Sequence, residues 1–345
     1  MWNQYSQRLP SAPGRQAGAP LLEVPPLSDP TSSSPTLPSS RLAAPAGGAW
    51  FAGFTLQERV VGGMRLRLRT GGRPDAPPVL LLHGFPQTHV MWYRVAQALA
   101  PHFTLVLPDL RGYGDSDAPP GGTDHANYSK RAMAADLHAL MGDLGHTRYA
   151  VVGHDRGARV AHRLALDHAE AVTRLAVLDI APTLDMYAAT DERLARAYYH
   201  WFFLIQPAPH PETLINGAPL HYLHWKLSGW GSGTPGFIEP EALADYERCF
   251  QRPQTIHAMC EDYRAAAGID LAHDRASRAA GQRVACPMHV LWGERGVIQA
   301  LFDPMALWRA ACSAEVTGRG LPCGHFLPEE QPEATAAELH RFLAA

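Results

Sequence analysis

The 345-residue chain carries 30 Lys+Arg against 33 Asp+Glu, a formal net charge of −3. Neither sign dominates and no Lys/Arg run occurs, so nothing marks a nucleic-acid surface, and no apolar run reaches the length of a membrane span. The five cysteines, an odd number with no Cys-x-x-Cys, read as reduced thiols of a cytoplasmic protein, and the 18 histidines include no His-Glu-x-x-His or comparable metal-binding cluster.

Residues 1–48 are rich in Pro, Ser, Ala and Gly. Such a segment buries too little apolar surface to offset its ordering entropy, so it reads as a disordered extension; it lacks the basic start and apolar centre of a secretory signal. The pattern changes at Phe51. Phe54–Val60 and Met64–Arg69 alternate around Gly62-Gly63 and predict a hairpin. Val79–His83 is an unbroken apolar run, typical of a strand buried on both faces, and leads into Gly84-Phe85-Pro86. A helix is predicted over Met91–Leu99, a strand over Thr104–Leu107, and a glycine-punctuated loop over Asp109–Ser116. Ser129 can cap a helix whose Met133, Leu137, Leu140, Met141 and Leu144 recur at helical spacing until Gly145. Tyr149–Val152 then forms a short apolar strand, followed by a tight turn, a helix to about Asp167, and a strand at Leu175–Leu178 that ends at Asp179.

Strands alternating with helices predict an α/β fold: a mostly parallel sheet with helices on both faces. The rhythm stops after Pro182. Residues 183–282 read as several helices rich in Trp, Tyr and His, broken at Pro207–Pro211 and Gly229–Gly236. This segment is predicted to be a helical cap inserted between two parts of the core, 49–182 and 283–345. The strand rhythm resumes at Met288–Gly293, and Glu333–Leu343 closes the chain as a helix.

The chemistry centres on Gly153-His154-Asp155-Arg156-Gly157. A strand, a turn of the form Gly-x-nucleophile-x-Gly and a helix resemble the nucleophile elbow of the α/β-hydrolases. Serine is usual at the middle position; here it is Asp155. A serine that displaces a leaving group from saturated carbon forms an ether, which water cleaves with difficulty. A carboxylate forms an ester, which water can open at the carboxyl carbon. Asp155 therefore points to carbon–halogen cleavage or epoxide opening. An aspartate here could also simply cap the helix that follows. The base should be a late histidine beyond the last strand, and His325 in Gly324-His325-Phe326 fits. Its acid partner should follow either the strand after the elbow, where Asp179 stands, or the penultimate strand, where Glu294 is the weaker competitor. The backbone N–H groups of Phe85 and Arg156 are the natural oxyanion donors. Arg156 and Arg159 lie three apart at the helix start. Two cations there oppose the helix dipole, and a substrate carboxylate would justify both.

The motifs His83-Gly84-Phe85-Pro86-Gln87, Gly153–Arg159, Leu178-Asp179, Tyr199-His200-Trp201, Cys260–Arg264 and Gly324–Glu330 resemble those of the haloacetate dehalogenases, including those acting on fluoroacetate. The likeness runs from about Phe51 to the C-terminus, and Asp-Arg-x-x-Arg is its most specific element; haloalkane dehalogenases and epoxide hydrolases usually carry tryptophan after the nucleophile. The resemblance implies that His200, Trp201 and Tyr263 bind the leaving halide, that no cofactor is needed, and that the enzyme is a homodimer. It implies hydrolysis of a 2-haloacid to glycolate and halide through an ester on Asp155. The alternatives are an epoxide hydrolase with the same Asp-His-Asp set and a non-catalytic binding protein that kept the fold. Cap aromatics near Met186-Tyr187 and Trp225–Trp230 find no assigned place.

Overall fold

Two glycines open the architecture. Gly62 and Gly63 both take positive φ, 55° and 81°, the conformation a two-residue hairpin turn needs. They join β1 (Thr55–Val61) to β2 (Met64–Gly72) with Val61 opposite Met64. The computed structural model describes residues 50–231 and 236–345; the predicted extension, residues 1–48, lies outside them. The remaining strands are β3 (Pro78–Leu82), β4 (Thr104–Pro108), β5 (Tyr149–His154), β6 (Val172–Leu178), β7 (Met288–Gly293) and β8 (Val316–Leu321). They pair in the order β1-β2-β4-β3-β5-β6-β7-β8, antiparallel at β1–β2 and β2–β4 and parallel from β4 onward.

Burial explains the run-like sequences. Val79–Leu82, Leu105–Leu107 and Val151–Val152 are essentially inaccessible, as expected for strands covered on both faces. Helices Lys130–Asp143 and Asp155–Asp167 pack against each other, as do Tyr93–Leu99 and Pro332–Ala344. The Ser129 hydroxyl accepts the Ala132 N–H at 3.1 Å, the expected cap. The chain adds β4 on one side of β3 and β5 on the other. That reversal opens a crevice at the carboxyl ends of β3 and β5, where such sheets hold their ligands.

Between β6 and β7, residues 183–279 contribute helices but no strand among the described residues. The described residues form one compact unit. One strand escaped the sequence reading. β8 reads Val-Thr-Gly-Arg-Gly-Leu, and its two glycines mask the strand signal. Gly318 is there because a Cβ would run into the Val290 carbonyl oxygen of β7.

Candidate active site

Every polar group predicted for the chemistry sits just past the carboxyl end of a strand or on a helix facing that end. Asp155 follows β5, with φ at +44°. That left-handed conformation is sparsely populated outside glycine and costs on the order of 1–3 kcal/mol, which the surrounding packing must supply. The glycines of the motif make the packing possible. A Cβ on Gly153 would lie 2.6 Å from Ala158 N, and one on Gly157 would lie 2.6 Å from Leu82 O, so a side chain at either would push the elbow off the sheet. Gly84 gives room in the same way: its Cβ would lie 2.6 Å from that of Asp155.

The Phe85 N–H donates to Asp155 Oδ2 at 3.1 Å. Arg156 N–H heads the helix, where the first N–H groups have no intrahelical carbonyl. Burial raises the Asp155 pKa, but the charges of His325, Arg156 and Arg159 outweigh it and hold the carboxyl below its ordinary value. Asp155 is therefore ionised at neutral pH, with one oxygen at the Phe85 N–H.

Asp179 follows β6 and also takes a positive φ, 54°. Its Oδ1 accepts the Gly293 N–H at 3.0 Å and its Oδ2 lies 2.6 Å from His325 Nδ1. Against a carboxylate the neutral ring carries its proton on Nδ1, which leaves Nε2 unprotonated. Glu294 is elsewhere, its side chain against Gly320. Burial lowers the His325 pKa, but Asp179 and Asp155 raise it more, and the net value lies above the ordinary 6.5. The His325 backbone is held on both sides: its N–H donates to Trp230 O at 2.8 Å, and its carbonyl accepts from His154 Nε2 at 2.8 Å. Burial drives the His154 pKa down to about 3, so this neighbour of Asp155 is a neutral donor that ties the elbow to the histidine loop.

The two arginines, predicted as a matched pair, are not equivalent. Arg156 is already occupied. Its Nε and Nη2 fork onto Asp262 Oδ2 and Oδ1 at 2.9 and 2.7 Å, Nη2 also reaches Asp262 O at 3.0 Å, and its Cζ stands 4.2 Å over the Tyr263 ring. Lys130 Nζ also bonds Asp262, and Tyr113 donates its hydroxyl at 2.7 Å. Arg159 lacks such a partner. Its Nη1 donates to Ala181 O at 3.2 Å and Thr183 Oγ1 at 2.9 Å, its Nη2 approaches Met186 Sδ at 3.3 Å, and its Cζ lies 4.8 Å from the Trp201 ring centre. Among the described residues no carboxylate pairs with it, and its buried Nε has no partner. Burial and the charge of Arg156 both push its pKa down.

His200 and Tyr263 stand with ring centres 5.5 Å apart, both against Phe85. Trp201 lies under Arg159, and Tyr198 packs against both His200 and Trp201. Burial, reinforced by Lys226 and Arg156, keeps His200 neutral. Its Nδ1 and the Tyr263 hydroxyl are buried without partners among the described residues. With Arg159 Nε, that makes three orphaned polar atoms near Asp155, and buried polar atoms are seldom left so unless a ligand or water completes them.

Several residues beside the candidate site had no assigned role in the sequence reading. Trp230 packs on His200 at 4.4 Å and on His325 at 5.5 Å. Lys226, one helical turn earlier, sits 4.8 Å from the Trp230 ring centre, and burial lowers its pKa to about 7. The i, i+4 spacing of Lys226 and Trp230 was visible, but nothing local says which way that helix face points. Asp262 stood inside a quoted motif, yet its partner lies 106 residues away.

The fold, the elbow and this set of side chains define an α/β-hydrolase. The chain belongs to the α/β-hydrolase fold family, whose model matches residues 77–330. Within that family it is similar to the fluoroacetate dehalogenase of Burkholderia sp., at 46% identity over 85% of this chain and 95% of that protein. The soluble epoxide hydrolase of Corynebacterium sp. (strain C12) is more distant, at 32% identity over 84% of this chain and 98% of that protein. A solved structure from Nostoc sp. PCC 7120 superposes with a TM-score of 0.81 at 53% identity, covering 84% of this chain and 98% of that one.

Proposed function

We propose that the protein is a haloacetate dehalogenase, fluoroacetate among its substrates, converting a 2-haloacid to a 2-hydroxyacid and halide through an Asp155 ester. The observation that carries the reading is Arg159: a buried guanidinium without a carboxylate partner among the described residues, one helical turn from an ionised elbow aspartate. An epoxide brings no charge to satisfy it. A haloacetate brings a carboxylate one bond from the carbon to be attacked.

Arg159 takes the substrate carboxylate, with Nη1 of Arg156, which makes no hydrogen bond among the described residues, as the second donor. Asp262 fixes the Arg156 plane. Asp155 Oδ2 stays at the Phe85 N–H, so Oδ1 attacks the α-carbon from the side opposite the halogen. The C–O bond forms as the carbon–halogen bond breaks, and the halide leaves with the electron pair toward the His200 and Tyr263 donors, with Trp201 alongside. His325 Nε2 then takes a proton from water as the hydroxide adds to Asp155 Cγ. The resulting oxyanion lies at the Phe85 and Arg156 N–H groups, each such donor being worth ~10²–10³ in rate. Collapse expels the hydroxyacid's oxygen, which receives the proton from His325, and the Asp155 carboxyl, its pKa held down, releases the proton left by the hydroxide to solvent and returns to the carboxylate. Asp179 stabilises the imidazolium in between.

A homodimer is what we infer from the likeness to the dehalogenases, and a cytoplasmic setting from the five cysteines read as reduced thiols; sedimentation of the purified protein tests the first. No described helix is long and apolar enough to cross a membrane. The function is tested by incubating the enzyme with fluoroacetate, chloroacetate and styrene oxide while following halide and diol. Halide from the acids and no diol is expected; diol without halide would favour the epoxide reading, and neither product would refute both.

A further inference from the structure

Two glutamates follow the histidine loop, and they do different things. Glu330 accepts the N–H groups of Gly324 and Phe326 at 2.9 Å each, bracketing His325. Glu329 is buried where three elements meet. Gln87, two residues beyond the oxyanion donor Phe85, bonds Glu329 Oε2 through its Nε2. Tyr246, on helix Pro240–Phe250, donates its hydroxyl to Oε1 at 2.9 Å. The Glu329 N–H donates to Phe326 O at 2.9 Å, next to His325. Gln87 is itself pinned by its N–H on Gly84 O at 2.9 Å, so the chain of bonds runs to the residues flanking Phe85.

No cation bonds Glu329 among the described residues. The charged groups around it are Glu330 on its own segment, Glu239 at the head of the Tyr246 helix, Asp245 beside Tyr246, and Arg94 on helix Tyr93–Leu99. Arg94 is engaged by Glu239 at 2.8 Å, and Asp245 takes the Thr88 hydroxyl at 2.6 Å. Val90, Met91, Phe237 and Ala242 make the rest of the enclosure apolar.

We propose that Glu329 is a positioning residue for the ester-cleaving half of the reaction, tying the Phe85 loop and helix Pro240–Phe250 to the segment that carries His325. This rests on the hydrolytic reading above. Burial, with Glu330 and Glu239 adding to it against the bonds from Tyr246 and Gln87, moves the Glu329 pKa up to about 8. A raised carboxyl keeps its proton in the folded state after the unfolded chain has lost it. Its contribution to stability is therefore full below the ordinary 4.5 and drains away as pH climbs to about 8. Above that pH an unpaired charge enters the enclosure, and the three ties slacken together.

The test compares wild type, Glu329→Gln, Glu329→Ala and Tyr246→Phe as full chains, by chloride release from chloroacetate and by thermal unfolding across pH. Glu329→Ala should lower kcat about tenfold, the scale of one lost buried hydrogen bond, and lower KM with it so that kcat/KM barely moves, because only the step after ester formation is slowed. Glutamine should restore kcat and abolish the decline in kcat above about pH 8, and the wild-type unfolding midpoint should fall relative to Glu329→Gln as pH rises from about 5 to 8. If Glu329→Gln does not fold, Tyr246→Phe, which removes one hydroxyl, should lower kcat and KM together and leave kcat/KM alone. An alkaline decline unchanged in Glu329→Gln, or wild-type kcat in Glu329→Ala or in Tyr246→Phe, would overturn the proposal while leaving the dehalogenase reading intact. No chloride from the wild type at any pH would overturn that reading and this inference with it.

Discussion

The sharpest prediction separates two arginines three residues apart. Arg159→Met removes a buried cation whose partners are a carbonyl, a hydroxyl, a thioether and an indole face. No hydrogen-bonded carboxylate is left stranded; Asp155 loses one of the charges that hold it ionised, but the desolvation that depresses the Arg159 pKa is relieved, so the folded protein should keep about wild-type stability. Substrate should suffer. A carboxylate at ~4 Å from a guanidinium gains about 4 kcal/mol at an effective dielectric near 20, and a charge-assisted hydrogen bond contributes roughly 1.5–3 kcal/mol net. The expected loss in kcat/KM is therefore about 1.5–4 kcal/mol, roughly ten- to a thousandfold. Arg156→Met acts differently because it strips Asp262 of its forked partner and leaves Lys130 and Tyr113 to hold a fully buried charge. Breaking such a pair from one side costs ~3–5 kcal/mol, so this variant should lose stability as well as activity. Halide-release kinetics and chemical denaturation of both variants decide the matter. Unchanged kcat/KM in Arg159→Met, or a loss of activity matched by unfolding, would refute the assignment of Arg159 to the substrate carboxylate.

Other predictions follow from the same geometry. His325→Gln should still alkylate Asp155 but not release it, so intact-mass spectrometry after exposure to chloroacetate should show a stable adduct; an unmodified mass would exclude His325 from the second step alone. His325 must be neutral to act as base, so kcat should rise with pH through a value above 6.5. In Asp179→Asn that limb should move to lower pH, because Asp179 is the main group raising the imidazole pKa; an unmoved limb would argue against the pair. Gly157→Ala should cost at least ~1–3 kcal/mol of stability and most activity, since its Cβ meets the Leu82 and His83 carbonyl oxygens.

Much of this site was legible because its signals are local. Gly153, Asp155 and Gly157 fall within five residues, and the sterics that demand them act within the same turn. Asp179 could be chosen because a strand visibly ends there, and the structure puts it, not Glu294, on His325. The core strands announced themselves as apolar runs, whereas β8 did not, because close approach to β7 required glycine where β-branched residues would have marked a strand. The division of labour between Arg156 and Arg159 was hidden, since it depends on Asp262 reaching back from a helix more than a hundred residues later. Trp230, Lys226 and Glu329 were hidden for the same reason: their roles come from how helices 183–279 and the histidine loop pack on the sheet, and side-chain spacing within one helix does not reveal that.

The central claim is that an oxygen of Asp155 bonds to substrate carbon and is replaced from water. A single turnover in heavy-oxygen water, with enzyme in excess over chloroacetate, tests it directly. The account predicts unlabelled glycolate and one heavy oxygen in the proteolytic peptide containing Asp155. Labelled glycolate from that first turnover, with an unlabelled peptide, would contradict it.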